Sequence, residues 1–197
     1  MNFTCYNTTL CYLEKDDCYL MLHRTKKKND VNKDKWIGLG GKFEYGESPE
    51  DCVKREVKEE IGLILNDFVY KGIVTFVSDD NFYEFMHLFW SDNFSGQIIS
   101  CDEGELEWIP KSKMNELPQW QGDEIFLDLM QKNIPFFSLK LVYKNNKLCK
   151  VLLNGKDYKC HLHLQAPDRF SPSPQSDLRP EHSQFPSAYR RVPPDPS

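Results

Sequence analysis

Three glutamates crowd onto one turn of a short helix between Gly41 and Leu63, and no other feature restricts the chain as much. The segment runs Gly41, five residues, Glu47, seven residues, then Arg55-Glu56-Val57-Lys58-Glu59-Glu60-Ile61-Gly62-Leu63. Ser48 is a natural N-cap, Pro49 suits the first helical position, and Asp51 sits at the spacing of a capping box. Gly62 is placed to stop the helix. Cys52, Val53, Val57 and Ile61 form an apolar stripe, while Arg55, Glu56, Glu59 and Glu60 lie elsewhere on the wheel. Positions i, i+3 and i+4 put the carboxylates of Glu56, Glu59 and Glu60 on one side. Like charges so close repel, and a helix has no structural need of them there. Hard cations relieve the repulsion: oxygen ligands suit Mg2+, with Mn2+ as a substitute, and Mg2+ binds through a few carboxylates together with substrate phosphates. Arg55 is placed to orient Glu47 by a charge-assisted pair. The glycines from Gly38 to Gly41 allow close backbone approach and offer a main-chain carbonyl near the helix start.

The rest of the chain reads as a small α/β domain. Thr4–Glu14 and Tyr19–Arg24 form a hairpin around Lys15-Asp16-Asp17. Lys26-Lys27-Lys28-Asn29-Asp30 is either a solvated loop or a basic rim that attracts a phosphorylated ligand. Trp36 to Lys42 holds too many glycines for a helix. Phe68–Val77 and Phe82–Trp90 read as two strands joined by Ser78-Asp79-Asp80-Asn81, and Leu106–Ile109 as a further strand. Helical spacing returns from Asp123 to Lys132, and Phe136–Tyr143 pairs with Leu148–Leu153 across Asn145-Asn146. From His161 onward the chain carries eight of its twelve prolines and few apolar residues, so residues 158–197 read as a disordered tail after a domain over 1–157.

An acidic helix face alone is ordinary surface, but here the preceding loop fits as well. Gly41 to Leu63 resembles the complete Nudix box. The resemblance implies an α/β/α sandwich with a mixed sheet and a loop-helix-loop box, in an enzyme that hydrolyses a nucleoside diphosphate linked to another moiety. It further implies that Glu56, Glu59 and Glu60 ligate metal, with the Gly41 carbonyl as a possible further ligand, and that Glu47 and Arg55 form a supporting salt bridge. The chemistry implied is attack of metal-activated water on phosphorus. The general base varies within the family, and Glu56 is the candidate here.

A wider resemblance covers about residues 3 to 155. Trp36–Lys42, the strand at Gly72–Asp79, Cys101-Asp102-Glu103, Leu117-Pro118-Gln119-Trp120, Asp123 and Pro135-Phe136-Phe137 are similar to the 8-oxo-dGTP diphosphatases of the MutT type and their mammalian counterparts. Carried over by position, Glu103 helps to handle metal or water, Trp120 stacks on the base and Asp123 reads the purine edge; Lys42 and Phe76 join the substrate-binding set. The expected reaction is 8-oxo-dGTP to 8-oxo-dGMP and diphosphate. Two positions depart from that pattern: Ile37 stands where the mammalian enzyme has Asn, and Gly122 matches the second purine-reading acid. Phe82, Phe85 and Met86 are further candidates to line the pocket.

Composition narrows the partners. A formal charge of -5 gives no reason to expect binding along a DNA or RNA duplex, so the nucleotide partner is a small molecule. Seven cysteines at scattered positions make neither a disulfide framework nor a CxxC site, and no GxSxG elbow offers a serine nucleophile. The amino terminus has no signal-like pattern and no apolar run spans a membrane, so the expected location is the cytoplasm, as a monomer or homodimer. Two other readings remain at this stage: hydrolysis of ADP-ribose or a dinucleoside polyphosphate, and a nucleotide-sensing module without turnover.

Overall fold

A computed structural model describes residues 4–26, 30–79, 82–132 and 134–159. The proline-rich stretch from His161 lies outside these residues, as do Lys27, Lys28 and Asn29 of the basic loop and Asp80-Asn81 of the expected turn.

Strands β1 (Thr4–Lys15) and β2 (Cys18–His23) form the expected antiparallel hairpin, with Leu13 opposite Leu20. The turn between them holds Asp16 and Asp17 at φ 52° and 59°, a left-handed pair that a short polar side chain tolerates. A two-residue strand, β3 (Trp36–Ile37), extends the same edge of β2, and helix α1 covers Pro49–Ile61. Strands β4 (Ile64–Val77) and β5 (Phe82–Ser95) pair antiparallel. Strand β6 (Glu105–Pro110) lies on the other edge of β2; a 3-10 turn (Lys111–Glu116) and helix α2 (Gln121–Gln131) follow. Strands β7 (Phe137–Lys144), β8 (Lys147–Leu153) and β9 (Lys156–Asp157) complete the sheet. Its order is β3-β2-β1-β5-β4-β7-β8-β9, and it is mixed, because β1 runs parallel to β5 and β4 parallel to β7.

The two helices cover opposite faces, and strand alternation shows it residue by residue. Tyr12, Tyr19, Met21, Val74, Leu88, Phe137, Leu139 and Leu141 pack with Ile125, Phe126, Leu129 and Met130 of α2. Their neighbours along the strands, Cys11, Leu13, Leu20, Leu22 and Phe89, pack instead with Val53, Val57 and Ile61 of α1. The architecture is therefore the expected mixed sheet between flanking helices. Each fully buried aliphatic or aromatic side chain on these faces contributes about 1.5–3 kcal/mol relative to exposure.

Several boundaries differ from the sequence reading. Strand β4 starts at Ile64, not Phe68, and β5 continues beyond Trp90 to Ser95, because this end of the ladder tolerates register shifts around Asp67 that break the apolar alternation. Helix α2 starts at Gln121. Strand β9 escaped detection because two exposed residues carry no periodicity.

Candidate active site

Helix α1 begins as its sequence dictates. The Ser48 side chain accepts from the Asp51 N–H at 3.1 Å, and the Asp51 carboxylate accepts from the Ser48 N–H at 3.1 Å, closing the capping box. At the other end Gly62 takes φ 77° and its N–H donates to the Lys58 carbonyl. With Cys52, Val53, Val57 and Ile61 all fully buried, the helix has no rotational freedom, and its acidic side is turned away from the sheet core.

The glycine-rich loop lies along β1. Leu39 exchanges backbone hydrogen bonds with Cys11, and Thr9 N–H donates to the Gly41 carbonyl at 2.9 Å. Such close approach explains Gly40, which has φ 145° and no space for a side chain, since a Cβ would stand 2.2 Å from the Thr9 carbonyl oxygen. Gly41 is constrained by its partner across the loop: a Cβ there would lie 2.4 Å from Oε1 of Glu56. Glycine is thus what permits the Glu56 carboxylate to rest against the loop.

Arg55 is the hub. Its Nε and Nη2 donate to the two oxygens of Glu47 at 2.6 and 2.9 Å, a bidentate pair, and Nη2 also donates to the Lys42 carbonyl at 3.0 Å. Nη1 donates to Glu56 at 2.9 Å and to Glu59 at 3.2 Å. The Glu47 carboxyl is pushed down to about 2, first by the Arg55 hydrogen bond, and the guanidinium is held protonated by the same partner. The Cys52 thiol beneath is pushed up to about 11 by burial, which keeps it neutral and unreactive. The supporting Glu47–Arg55 bridge expected from the sequence is therefore present.

The glutamates are less convergent than the spacing suggests. Arg55 draws Glu56 and Glu59, while Glu60 accepts from the Gly40 N–H at 3.0 Å. Among the described residues, no three His, Cys, Asp or Glu side chains come close enough together to hold a metal ion. The donors nonetheless fit a hard divalent cation: they are oxygens only, the Gly41 gap keeps Glu56 against the loop, and Glu59, at 61% exposure, is open to solvent. Glu103 belongs to a different pair. Arg24 donates to it from Nη1 and to Asp30 from Nε at 2.7 Å. The chain leading to its loop runs beside the end of the helix, where the Ile99 N–H donates to the Ile61 carbonyl at 2.9 Å.

The remaining candidates gather on the α2 face. Trp120 forms the N-cap position of α2; its Nε1 donates to Asn32 Oδ1 at 2.8 Å, its edge meets Tyr143, and Lys35 Nζ stands 4.5 Å from its ring centre. Phe76 lies between Tyr143 and Phe82. Asp123 is 8% exposed, and burial pushes its carboxyl up to about 7. Lys42 reaches the same face, with Nζ 4.0 Å from the Tyr6 ring centre. Met86 packs against the α2-side core, but Phe85 alternates to the opposite face, where it meets Tyr83, so Phe85 does not line this site. The two departures also have structural explanations. Ile37 packs against the α1-side core, and a Cβ at Gly122 would lie 2.3 Å from Leu141 Cδ1, so a larger residue there requires that side chain to move. Lys35, Asn32 and Tyr143 escaped the sequence reading, since nothing in a loop lysine or a strand tyrosine signals its partner.

This combination of capped acidic helix, Arg–Glu hub and glycine loop over a mixed sheet has known relatives. Residues 7–130 match the NUDIX domain. The chain belongs to the Nudix family. It is 35% identical over 129 residues to the uncharacterised Nudix hydrolase YvcI of Bacillus subtilis, covering 63% of this chain and 78% of that protein. It is 30% identical over 106 residues to an oxidized purine nucleoside triphosphate hydrolase of Danio rerio, covering 53% and 67% respectively. Among solved structures, a MutT protein from Bacillus halodurans superposes with a TM-score of 0.67 at 26% identity, covering 77% of this chain and 99% of that one. Membership in the Nudix family carries its general chemistry, metal-dependent hydrolysis of a nucleotide's diphosphate linkage. Among the described residues no helix is long and apolar enough to cross a membrane.

Proposed function

We propose that the chain hydrolyses oxidised purine nucleoside triphosphates, converting 8-oxo-dGTP to 8-oxo-dGMP and diphosphate by adding water across the α–β phosphoanhydride bond. The observation that carries this reading is the placement of Trp120 and the buried Asp123 on the α2 face, with Lys42 connecting that face to the acidic helix through its own main chain. A flat indole suits a purine ring. A carboxyl group sunk in an apolar surround pays for its desolvation only if it gains a specific hydrogen-bonding partner, and the N–H edge of a guanine-type base is one. The similarity to the oxidized purine nucleoside triphosphate hydrolase of Danio rerio supports the same substrate class.

In this reading Glu56, Glu59 and Glu60, with the Gly41 carbonyl, hold Mg2+ or Mn2+, and Glu103 assists from its neighbouring loop. The bound metal lowers the cost of deprotonating water and neutralises charge on the phosphates. Arg55 holds Glu47, Glu56 and Glu59 in register, Glu60 anchors the glycine loop through Gly40, and Lys42 attracts the phosphate chain. The test is hydrolysis of a panel of 8-oxo-dGTP, 2-hydroxy-dATP, dGTP and ADP-ribose with Mg2+, with products identified. Preferred release of diphosphate from 8-oxo-dGTP is expected. Preferred cleavage of ADP-ribose, or tight binding without turnover of any member, would replace the proposal.

A further inference from the structure

A second acid faces the α2 side from the middle of the sheet. On β5, Phe82, Glu84, Met86 and Leu88 alternate onto one face, and Leu88 is in the α2-side core. Glu84 stands opposite Phe76 on β4 and Tyr6 on β1, the two aromatic residues that already flank this site. An acid in an otherwise apolar register costs stability, and a methionine or leucine would pack there at lower cost. Its compensation is incomplete. Thr8 Oγ1 donates to Oε1 at 2.8 Å, whereas among the described residues Oε2 receives no hydrogen bond. The atom is not sealed off either, since among the described residues the buried polar atoms without a partner are the Tyr12 hydroxyl and Gln119 Oε1. That Tyr12 hydroxyl is the second sign of an unmet polar need: fully buried, it lies against Gly38 and feels the Asp123 charge, with no hydrogen bond of normal geometry.

We infer that Glu84 is a specificity-determining residue that accepts hydrogen bonds through Oε2 from the N1–H and 2-amino group of a guanine-type base. The inference rests on the nucleotide-hydrolase reading above and deepens it. Glu84 lies close enough for its charge to act on Asp123, and the position beside Asp123 is Gly122, where a Cβ would press on the Leu141 side chain. The second carboxylate therefore comes from the sheet rather than from the helix. Thr8 fixes its rotamer, and Lys42 offsets its charge without a direct hydrogen bond. An adenine-type edge presents an acceptor at N1, which a carboxylate repels, so the residue selects between purines.

The test compares kcat/KM for 8-oxo-dGTP and 8-oxo-dATP, which share the oxidised position and differ in the edge that Glu84 faces. Glu84→Gln keeps size and one acceptor but loses the charge and gains a donor, and the ratio is expected to fall by about tenfold or more. Thr8→Val, which frees the rotamer, is expected to shift the ratio in the same direction by about threefold, and it carries the test if Glu84→Gln does not fold. A structural role would lower both substrates equally. A ratio unmoved in the folded variants therefore overturns the assignment while leaving the hydrolase reading intact. Absence of wild-type turnover on both nucleotides removes the hydrolase reading, and the Glu84 assignment with it.

Discussion

The two faces of the sheet obtain their polar groups in opposite ways. On the α1 side, Glu47, Arg55, Glu56, Glu59 and Glu60 come from one stretch of fourteen positions, and that single arginine ties three of the four carboxylates together. On the α2 side, Thr8, Lys35, Lys42, Glu84, Trp120 and Asp123 come from the first strand, two loops, a central strand and the start of the second helix. The first arrangement is local and its geometry follows from helix periodicity. The second exists only once distant segments are in register. Chemistry common to a whole family can be held in a local motif, whereas substrate choice, assembled from many segments, can change one residue at a time.

That contrast can be broken by substitution. The largest effects belong to the local motif. Glu59→Gln or Glu60→Gln should each reduce kcat by at least about 100-fold if these carboxylates hold the metal as proposed, and chelation of divalent ions should then abolish turnover in the wild-type protein. Near-normal rates in both variants would remove their role. Gly41→Ala should cost about tenfold or more in kcat with little change in fold, since its methyl group displaces the Glu56 carboxylate; an alanine variant of full activity would show that this approach is unnecessary.

Effects on the distributed face should appear in binding before turnover. Trp120→Ala should raise KM by about tenfold, with kcat much less affected, if the indole stacks on the base as proposed, an interaction worth about 1–3 kcal/mol. If kcat falls alone, the indole does not hold the base. Asp123→Asn separates the two faces by pH. The Asp123 carboxyl has a folded pKa of about 7, above its unfolded value, so from about pH 4 to 7 the unfolded chain ionises while the folded carboxyl stays protonated, and stability falls as pH rises through that window. The Asn variant should escape this and gain on the order of 2 kcal/mol over wild type at pH 8 relative to pH 4, measured by denaturant unfolding. The smallest effect is Ser48→Ala, which should cost about 1 kcal/mol by opening the capping box, visible as a lower Tm. An unchanged Tm would mean the cap is redundant.

Much of this is legible in the sequence. Ser48, Pro49, Asp51 and Gly62 mark the ends of α1 because each supplies a local backbone need that no tertiary contact has to provide. The Asn145-Asn146 hairpin was readable for the same reason, both residues taking positive φ at 51° and 60°. Glu84 was not legible as part of the site, although an acid among Phe82, Met86 and Leu88 breaks the apolar register of its strand. That break says the position is unusual without saying what it faces. Glu103 shows the converse limit, since position in the resemblance pointed to the metal while the fold places Arg24 against it.

Sequence by itself determined the capped acidic helix and the Glu47–Arg55 pair, because both depend on interactions between residues close in the chain. Only the tertiary structure decided which partner each carboxylate meets: it gave Glu56 and Glu59 to Arg55, Glu60 to Gly40, and placed Glu84 where its charge acts on Asp123. The physical reason is that electrostatic partnership depends on distance through space, and across a mixed sheet that distance is fixed by strand order and register rather than by separation along the chain.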